Sequence, residues 1–288
     1  MKMKHRNGTY VIHEDSQETI LHFLYGTALG RLLLKPLILP PVSRLAGRFL
    51  SSRLSKPLIP LFIKQHSIDV SHFTKTEFDS YNDFFSRKIR PELRPVDKEP
   101  THFISPCDCK LTVLPITANG IFTLKHTPYT ISSLLRNRAL AQEYLGGYAM
   151  VFRLTVDDYH RYCYVADGIP STPVKIPGVF HTVNPIANDH FPIYKENARE
   201  YTILHTDTFG DLVLMEVGAL LVGKIVNHPV THPVKRGQEK GYFQFGGSTI
   251  VILAKKDVLQ PDSDILENSA RGIETIVRLG EKIGRKKS

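Results

Sequence analysis

The sequence predicts an α+β fold: N-terminal amphipathic helices, a largely antiparallel β domain after them, and a C-terminal helix. Three observations carry this. Apolar residues recur at helical spacing within the first 68 positions, interrupted by prolines. After about Asp97 the texture changes to short β-branched or aromatic runs separated by Gly, Pro and Asn. From Asp264 to Gly284, Ile265, Leu266, Ala270, Ile273, Ile276, Val277 and Leu279 are spaced to suit a closing amphipathic helix. Hydrophobic content of 42% in 288 residues is enough for a packed core.

The N-terminus, Met1-Lys-Met-Lys-His-Arg, is basic but leads into polar sequence, so no secretory signal is expected. No apolar run approaches the roughly 18–20 residues that span a bilayer. Val42, Leu45, Ala46, Phe49 and Leu50 mark one face of a helix, with Arg44, Arg48 and Arg53 mostly off it. Pro36, Pro40 and Pro41 predict one break, and Pro57 with Pro60 another. From Thr19 to Ile68 there is no Asp or Glu, whereas Arg31, Lys35, Arg44, Arg48, Arg53, Lys56 and Lys64 all fall there. These seven cations account for most of the net charge of +9. An apolar stripe with a cationic flank suits the surface of an anionic bilayer, where each Lys or Arg contributes about 1 kcal/mol. A helical layer packed on the protein's own core is the plainer reading. A nucleic-acid surface is the third, weakened by the sparse aromatics among these cations.

Strands are expected over Leu111–Leu114, Tyr148–Leu154, Leu212–Val217, Leu220–Val226 and Thr249–Leu253, and a helix over Ile131–Tyr144. Cys107, Cys109 and Cys163 cannot all pair with one another, so a reducing compartment is expected.

Several clusters could carry chemistry. Asp108, in Ser105-Pro-Cys-Asp-Cys109, is either a turn residue or a carboxylate that orients a base. His160, in Asp157-Asp-Tyr-His-Arg-Tyr-Cys163, is suited to move protons near neutral pH. His181, in His181-Thr-Val-Asn-Pro185, is a second base or a turn residue. His228 and His232 have the spacing of two metal ligands on a helix, but the prolines beside them oppose that helix, so no metal is expected. Gly246-Gly-Ser-Thr249 places Ser248 at the mouth of a strand, beside a peptide bond without side-chain shielding. That is either a turn or bulge, or a nucleophile able to attack the Gly247 carbonyl.

Taken in order, these segments resemble the phosphatidylserine decarboxylase proenzymes, a pyruvoyl-dependent family that cuts itself. The resemblance covers nearly everything after residue 80. It rests on Phe84-Phe-Ser-Arg-Lys-Ile-Arg-Pro-Glu-Leu-Arg-Pro-Val96, Ser105-Pro-Cys-Asp108, Leu154-Thr-Val-Asp-Asp-Tyr-His-Arg161, and Val183-Asn184. Val217-Gly-Ala219, Val222-Gly223, Lys235-Arg-Gly-Gln-Glu-Lys-Gly241 and Gly246-Gly-Ser-Thr249 continue it. Each motif alone is weak, but their order is specific. Two positions depart from the family. Cys163 stands where a second histidine is common, and Cys109 where glycine is common. The base that activates Ser248 is therefore open among His160, His181 and Cys163.

The resemblance implies a membrane-associating region over 1–80 and a catalytic domain over 81–288, cut between Gly247 and Ser248 into 1–247 and 248–288. Ser248, activated by a histidine that Asp108 holds, attacks Gly247. Elimination and loss of ammonia leave pyruvate at the new N-terminus as a covalent pyruvoyl cofactor. That group forms a Schiff base with phosphatidylserine and takes up the electrons left by CO2, and His160 protonates the product carbon. The implied partners are an anionic membrane, the lipid substrate and the complementary subunit, without nucleic acid; self-association stays open. The implied location is the cytoplasmic face of the cell membrane, peripherally bound. Three further readings are a pyruvoyl-dependent decarboxylase of a soluble amino acid, a zinc hydrolase using His228, His232 and an Asp, and a non-enzymatic membrane-surface module.

Overall fold

The computed structural model describes residues 2–12, 18–124, 126–188, 190–219, 224–229, 232–244 and 248–287. The chain opens with a hairpin of β1 (Lys2–His5) and β2 (Tyr10–Ile12). Helices α1 (Glu18–Gly26), α2 (Ala28–Leu37), α3 (Pro40–Leu50), α4 (Leu58–His66) and the short α5 (Tyr81–Phe85) follow. Prolines end or open these helices much as expected: Pro40 and Pro41 start α3, and Pro57 is the N-cap of α4. Pro36 departs from the expectation, lying within the last turn of α2.

The β domain begins with β3 (His102–Ile104), β4 (Cys109–Pro115) and the hairpin β5 (Ile121–Leu124) and β6 (Thr127–Thr130). The helix expected over Ile131–Tyr144 is two, α6 (Ile131–Leu135) and α7 (Arg138–Gln142), because Arg136 between them adopts a left-handed φ of 48°. Then come β7 (Tyr148–Leu154), β8 (Arg161–Cys163), β9 (Ile169–Pro170), β10 (Val174–Ile176), α8 (Pro185–Asn188) and α9 (Ile193–Glu196). Next are β11 (Arg199–Thr206), β12 (Gly210–Val217), β13 (Ile225–Asn227), β14 (Glu239–Phe243) and β15 (Ser248–Ala254). The chain ends with β16 (Leu259–Pro261), α10 (Ser263–Ala270), β17 (Glu274–Val277) and β18 (Lys282–Lys286).

The C-terminal expectation is thus corrected. Only Ser263–Ala270 is helical, and two strands follow it. Gly272 (φ 69°) and Gly280 (φ 81°) turn the chain where a helix would have continued. Ile273, Glu274, Thr275 and Val277 are buried and Ile276 is half-buried, and Thr275–Val277 pair with β4.

Nine strands of the main sheet run in the order β10-β11-β12-β15-β7-β4-β17-β1-β2, and β9 joins at β11. All its pairings are antiparallel except that of β1 with β17. Side chains alternate across a strand, and the core divides accordingly. Met150, Phe152, Leu154, Ile250 and Ile252 face one cluster with Tyr162, Cys163 and Phe243 of the small sheet β13-β14-β8. Val151, Val213, Met215, Val217, Val251 and Leu253 face the other, with Leu21 and Tyr25 of α1. Helices α3, α4 and α5 share a third cluster of Leu50, Ile59, Phe78, Tyr81, Phe84 and Phe85.

The apolar stripe of α3 packs on the third cluster only in part, with Val42 and Ala46 half-buried. Leu45 (70% exposed) and Phe49 face outward, and Leu50 is buried. Ile20, Phe23, Leu29, Leu32, Leu33, Leu39, Leu54, Leu58 and Leu61 are also exposed, within the same carboxylate-free stretch. The seven cations there are exposed as well. Among the described residues no helix is long and apolar enough to cross a membrane.

Candidate active site

Ser248 is the first residue of β15, opposite Leu154 of β7. The next residue, Thr249, is paired on both sides, with Arg153 of β7 and Val217 of β12. Strand alternation turns Ser248 to the same face as Ile250 and Leu154, toward the small sheet. Ser248 is fully buried, and its Oγ has no hydrogen-bond partner among the described residues. A buried hydroxyl left unsatisfied costs roughly 1–3 kcal/mol, so its persistence calls for an explanation. Gly246 and Gly247, the other side of the expected cut, lie outside the described residues, as do Val222 and Gly223.

His160 ends the loop between β7 and β8. Asp158 shapes that loop by accepting the Thr155 N–H at 2.7 Å and pairing with Lys110 Nζ, also at 2.7 Å. The His160 Nδ1 lies 2.9 Å from the Asp158 carbonyl oxygen. A carbonyl only accepts, so Nδ1 carries the proton and Nε2 keeps its lone pair. That Nε2 is buried without a partner among the described residues. The Phe85 ring packs against the imidazole with centroids 4.2 Å apart. Burial above all, with the Arg87 cation adding to it, pushes the His160 pKa down to about 3, so the ring is neutral. Two stretches of chain join this histidine to Ser248. Leu154, opposite Ser248, leads into the His160 loop, and Phe243, whose N–H donates to the His160 carbonyl at 3.0 Å, precedes β15.

Asp108 does not hold a histidine. The Arg94 guanidinium forks its carboxylate, with Nε 2.8 Å from Oδ1 and Nη2 on Oδ2, and the Leu279 N–H donates to Oδ1 at 2.9 Å. A planar guanidinium matches a carboxylate in two bonds and stays charged, which an imidazole does not. Cys163 lies close in the chain's path, since its N–H donates to the Pro106 carbonyl at 2.9 Å. Its thiol is buried, and burial pushes the pKa up to about 12, so it stays protonated and makes a poor base.

His181 lies across the sheet from the Ser248 side. It stacks on Phe191 with centroids 4.6 Å apart, and its Nδ1 is 3.4 Å from the hydroxyl of Tyr25, a residue of the opposite core. Its Nε2 is 3.5 Å from Glu196, and burial lowers its pKa to about 4. The structure thus brings Ser248 and the His160 strand to one face and leaves His181 on the other. His228 Nε2 hydrogen-bonds Glu239 at 2.6 Å. No group of three or more candidate ligands that could hold a metal occurs among the described residues.

Three groups were not singled out from the sequence. Arg94 holds Asp108, and Arg87 flanks His160. Lys240 forms a buried ion pair with Glu216, its Nζ 2.8 Å from both carboxylate oxygens, on the Ser248 face of the sheet. Arg87 and Arg94 lie in Phe84–Val96, and Lys240 in Lys235–Gly241; both segments were recognised as motifs without a role for these side chains.

Residues 81–285, most of the chain, match the family described as phosphatidylserine decarboxylase. The chain belongs to this family. It is 48% identical over 265 residues to phosphatidylserine decarboxylase proenzyme 2 of Clostridium acetobutylicum, covering 92% of this chain and 91% of that one. Against the phosphatidylserine decarboxylase proenzyme of Clostridium botulinum (strain Langeland), identity is 38% over 288 residues, with 98% of each chain covered. The proenzyme of Clostridium perfringens (strain ATCC 13124) is 39% identical over 283 residues, with 96% of each covered. The family match starts at Tyr81, where α5 begins, so α1 to α4 precede it.

The Arg94–Asp108 fork gives a first test. Arg94→Met leaves a largely buried carboxylate without its cation, and a loss of about 3 kcal/mol in unfolding free energy is expected from urea titration on the uncut Ser248→Ala background. Because the two side chains act as a pair, Arg94→Met with Asp108→Asn should cost less than the sum of the single changes.

Proposed function

We propose that this protein is a self-processing phosphatidylserine decarboxylase whose pyruvoyl group is made from Ser248. One observation carries the reading: a serine hydroxyl, buried and unsatisfied among the described residues, at the family's Gly-Ser-Thr position and at the head of a strand paired on both sides. His160 is the base, because its Nε2 is neutral, carries a free lone pair and belongs to the same face of the sheet. It takes the Ser248 proton as Oγ attacks the Gly247 carbonyl, turning the amide into an ester. Removal of the Ser248 α-proton then expels the Gly247 carboxylate, and hydrolysis of the resulting enamine releases ammonia. Asp108, fixed by Arg94 and the Leu279 N–H, braces the turn whose Pro106 carbonyl accepts the Cys163 N–H at the end of β8.

The pyruvoyl group, once formed, supplies an electron sink for the bond to CO2. Residues of this chain do the rest. Strand pairing of Thr249 to Leu253 holds the new N-terminus in place. An anionic substrate near His160 raises its proton affinity, so the ring gains the proton that it returns to the product carbon.

The substrate class also accounts for the N-terminal surface. Exposed leucines and phenylalanines beside seven exposed cations favour an anionic bilayer, on the cytoplasmic face where the three free cysteines remain reduced. The intact mass of the purified protein tests the whole. Two chains are expected, together exceeding the uncut chain by the difference between water and ammonia, with CO2 released from phosphatidylserine. A single chain with no release would sink the proposal.

Membrane contact has its own test. The triple change Leu45→Asp, Leu54→Asp and Leu61→Asp should lower co-sedimentation with phosphatidylserine-containing vesicles roughly tenfold or more, given about 1.5–3 kcal/mol for each leucine fully removed from water. Unchanged sedimentation would place the lipid-facing surface elsewhere.

A further inference from the structure

Arg87 is 4% exposed and lies two residues beyond α5. Its guanidinium sits between the rings of Phe73 and Phe84, 4.8 and 4.9 Å from their centroids. The side chain's hydrogen-bond acceptors among the described residues are the carbonyls of Phe84 and Phe85, at 3.5 and 3.4 Å. Both are long for N–H···O bonds, neither acceptor is charged, and the Nε is buried without a partner there. Ring faces offset part of the cost of burying this cation, and the negative charges of Asp157 and Asp158 act on it at longer range, but no anion is hydrogen-bonded to the guanidinium among the described residues.

Its place in the fold says which anion. On one side, Phe85 packs on His160, and Arg161 Nε donates to the Ser86 carbonyl at 2.8 Å. On the other, α5 is tied to α3 through Asn82 Nδ2, 2.9 Å from the Ser51 Oγ, and shares its core with α3 and α4. Arg87 therefore lies between the helices with the exposed apolar and cationic surface and the histidine of the site. Arg87 Nε and His160 Nε2, flanking Phe85, are both unsatisfied. Buried polar atoms without partners are few in folded proteins, and a headgroup with an anion for the Arg87 donor and a proton donor for the His160 lone pair would meet both.

We propose that Arg87 binds the phosphodiester of the phospholipid headgroup. The inference rests on the decarboxylase reading above. That substrate carries two anions. Its carboxylate departs as neutral CO2, so a cation paired with it would stabilise the ground state over the transition state and slow the reaction. The phosphodiester keeps its charge from substrate to product. Gripping it strengthens binding throughout and leaves the barrier from the bound state alone.

The full-length protein, self-cut as judged by intact mass, is assayed with short-chain phosphatidylserine in mixed micelles. Arg87→Gln is expected to raise KM at least tenfold with kcat within threefold of wild type, and Arg87→Lys to fall between. Unchanged KM, or a loss confined to kcat, overturns the assignment. If Arg87→Gln does not mature, the wild type decides. Glycerophosphoethanolamine should inhibit at concentrations at least tenfold lower than ethanolamine, and equal inhibition overturns the assignment. Failure of the underlying reading is seen separately, as wild-type protein that neither cuts itself nor releases CO2, and it takes this inference with it.

Discussion

Ser248→Ala protein is expected to purify as one chain of 288 residues and to release no CO2 from phosphatidylserine. Without Oγ no ester can form with Gly247, so the chain stays whole. Without the cut no ketone arises, and the electron sink is missing. The two losses should be complete together, since one atom serves both. Folding should not suffer. The hydroxyl removed is buried with no partner among the described residues, and relief of such a group is worth roughly 1–3 kcal/mol. The variant should therefore unfold at the same or higher urea concentration than an uncut wild-type chain. A lower midpoint would mean that Ser248 serves the fold. A variant that still yields two chains would place the cut elsewhere.

The second large effect belongs to His160. His160→Gln should slow self-cleavage and lower kcat of any matured fraction by about 10²–10⁴-fold, the usual range for loss of a general acid–base. His181→Gln and Cys163→Ser should lose far less turnover than that range, since neither side chain is the proposed base. His181 is held by Tyr25 and Phe191 in the opposite core, and the Cys163 thiol remains protonated. A large loss on either change would move the base to that residue. Stability against pH offers a second readout. Folded His160 titrates at about 3, against about 6.5 when unfolded. As pH falls below about 6.5 the unfolded chain takes up a proton that the fold refuses, so stability declines by up to about 1.4 kcal/mol per pH unit from this group. That decline ends below the folded pKa. His160→Gln removes this share, and its stability should fall less on acidification.

Much of the β domain was readable because β-branched runs such as Thr249–Leu253 and Tyr148–Leu154 have few other uses. The end of the chain was not. Apolar positions from Ile265 to Leu279 satisfy a helical period, and the two glycines that break it have spacing no rule would single out. The β1–β2 hairpin was hidden for a different reason. Its strands have four and three residues, and β1 reaches the sheet by pairing with β17 from the other end of the chain. In the candidate site, motif order singles out Ser248, Asp108 and His160. It could not name their neighbours. Asp108 and Arg94 each had several conceivable partners, and only the packed chain shows that the carboxylate goes to arginine. Nor could the sequence show that His181 falls on the far face of the sheet, since that depends on the parity of β15 relative to the whole core.

The position of β15 has a consequence for the life of the protein. It lies between β12 and β7, and β17 lies between β4 and β1, so residues after Ser248 supply two interior strands of one sheet. Under the proposed self-cleavage, a cut before Ser248 would turn one folded chain into two paired chains that were never separate. The precursor folds as a first-order process, with both strands tethered at high effective concentration. Once matured and denatured, the pieces must find each other in solution, and neither has a complete sheet to wait in. On that proposal folding precedes cutting, and the information for assembly is spent in a single passage.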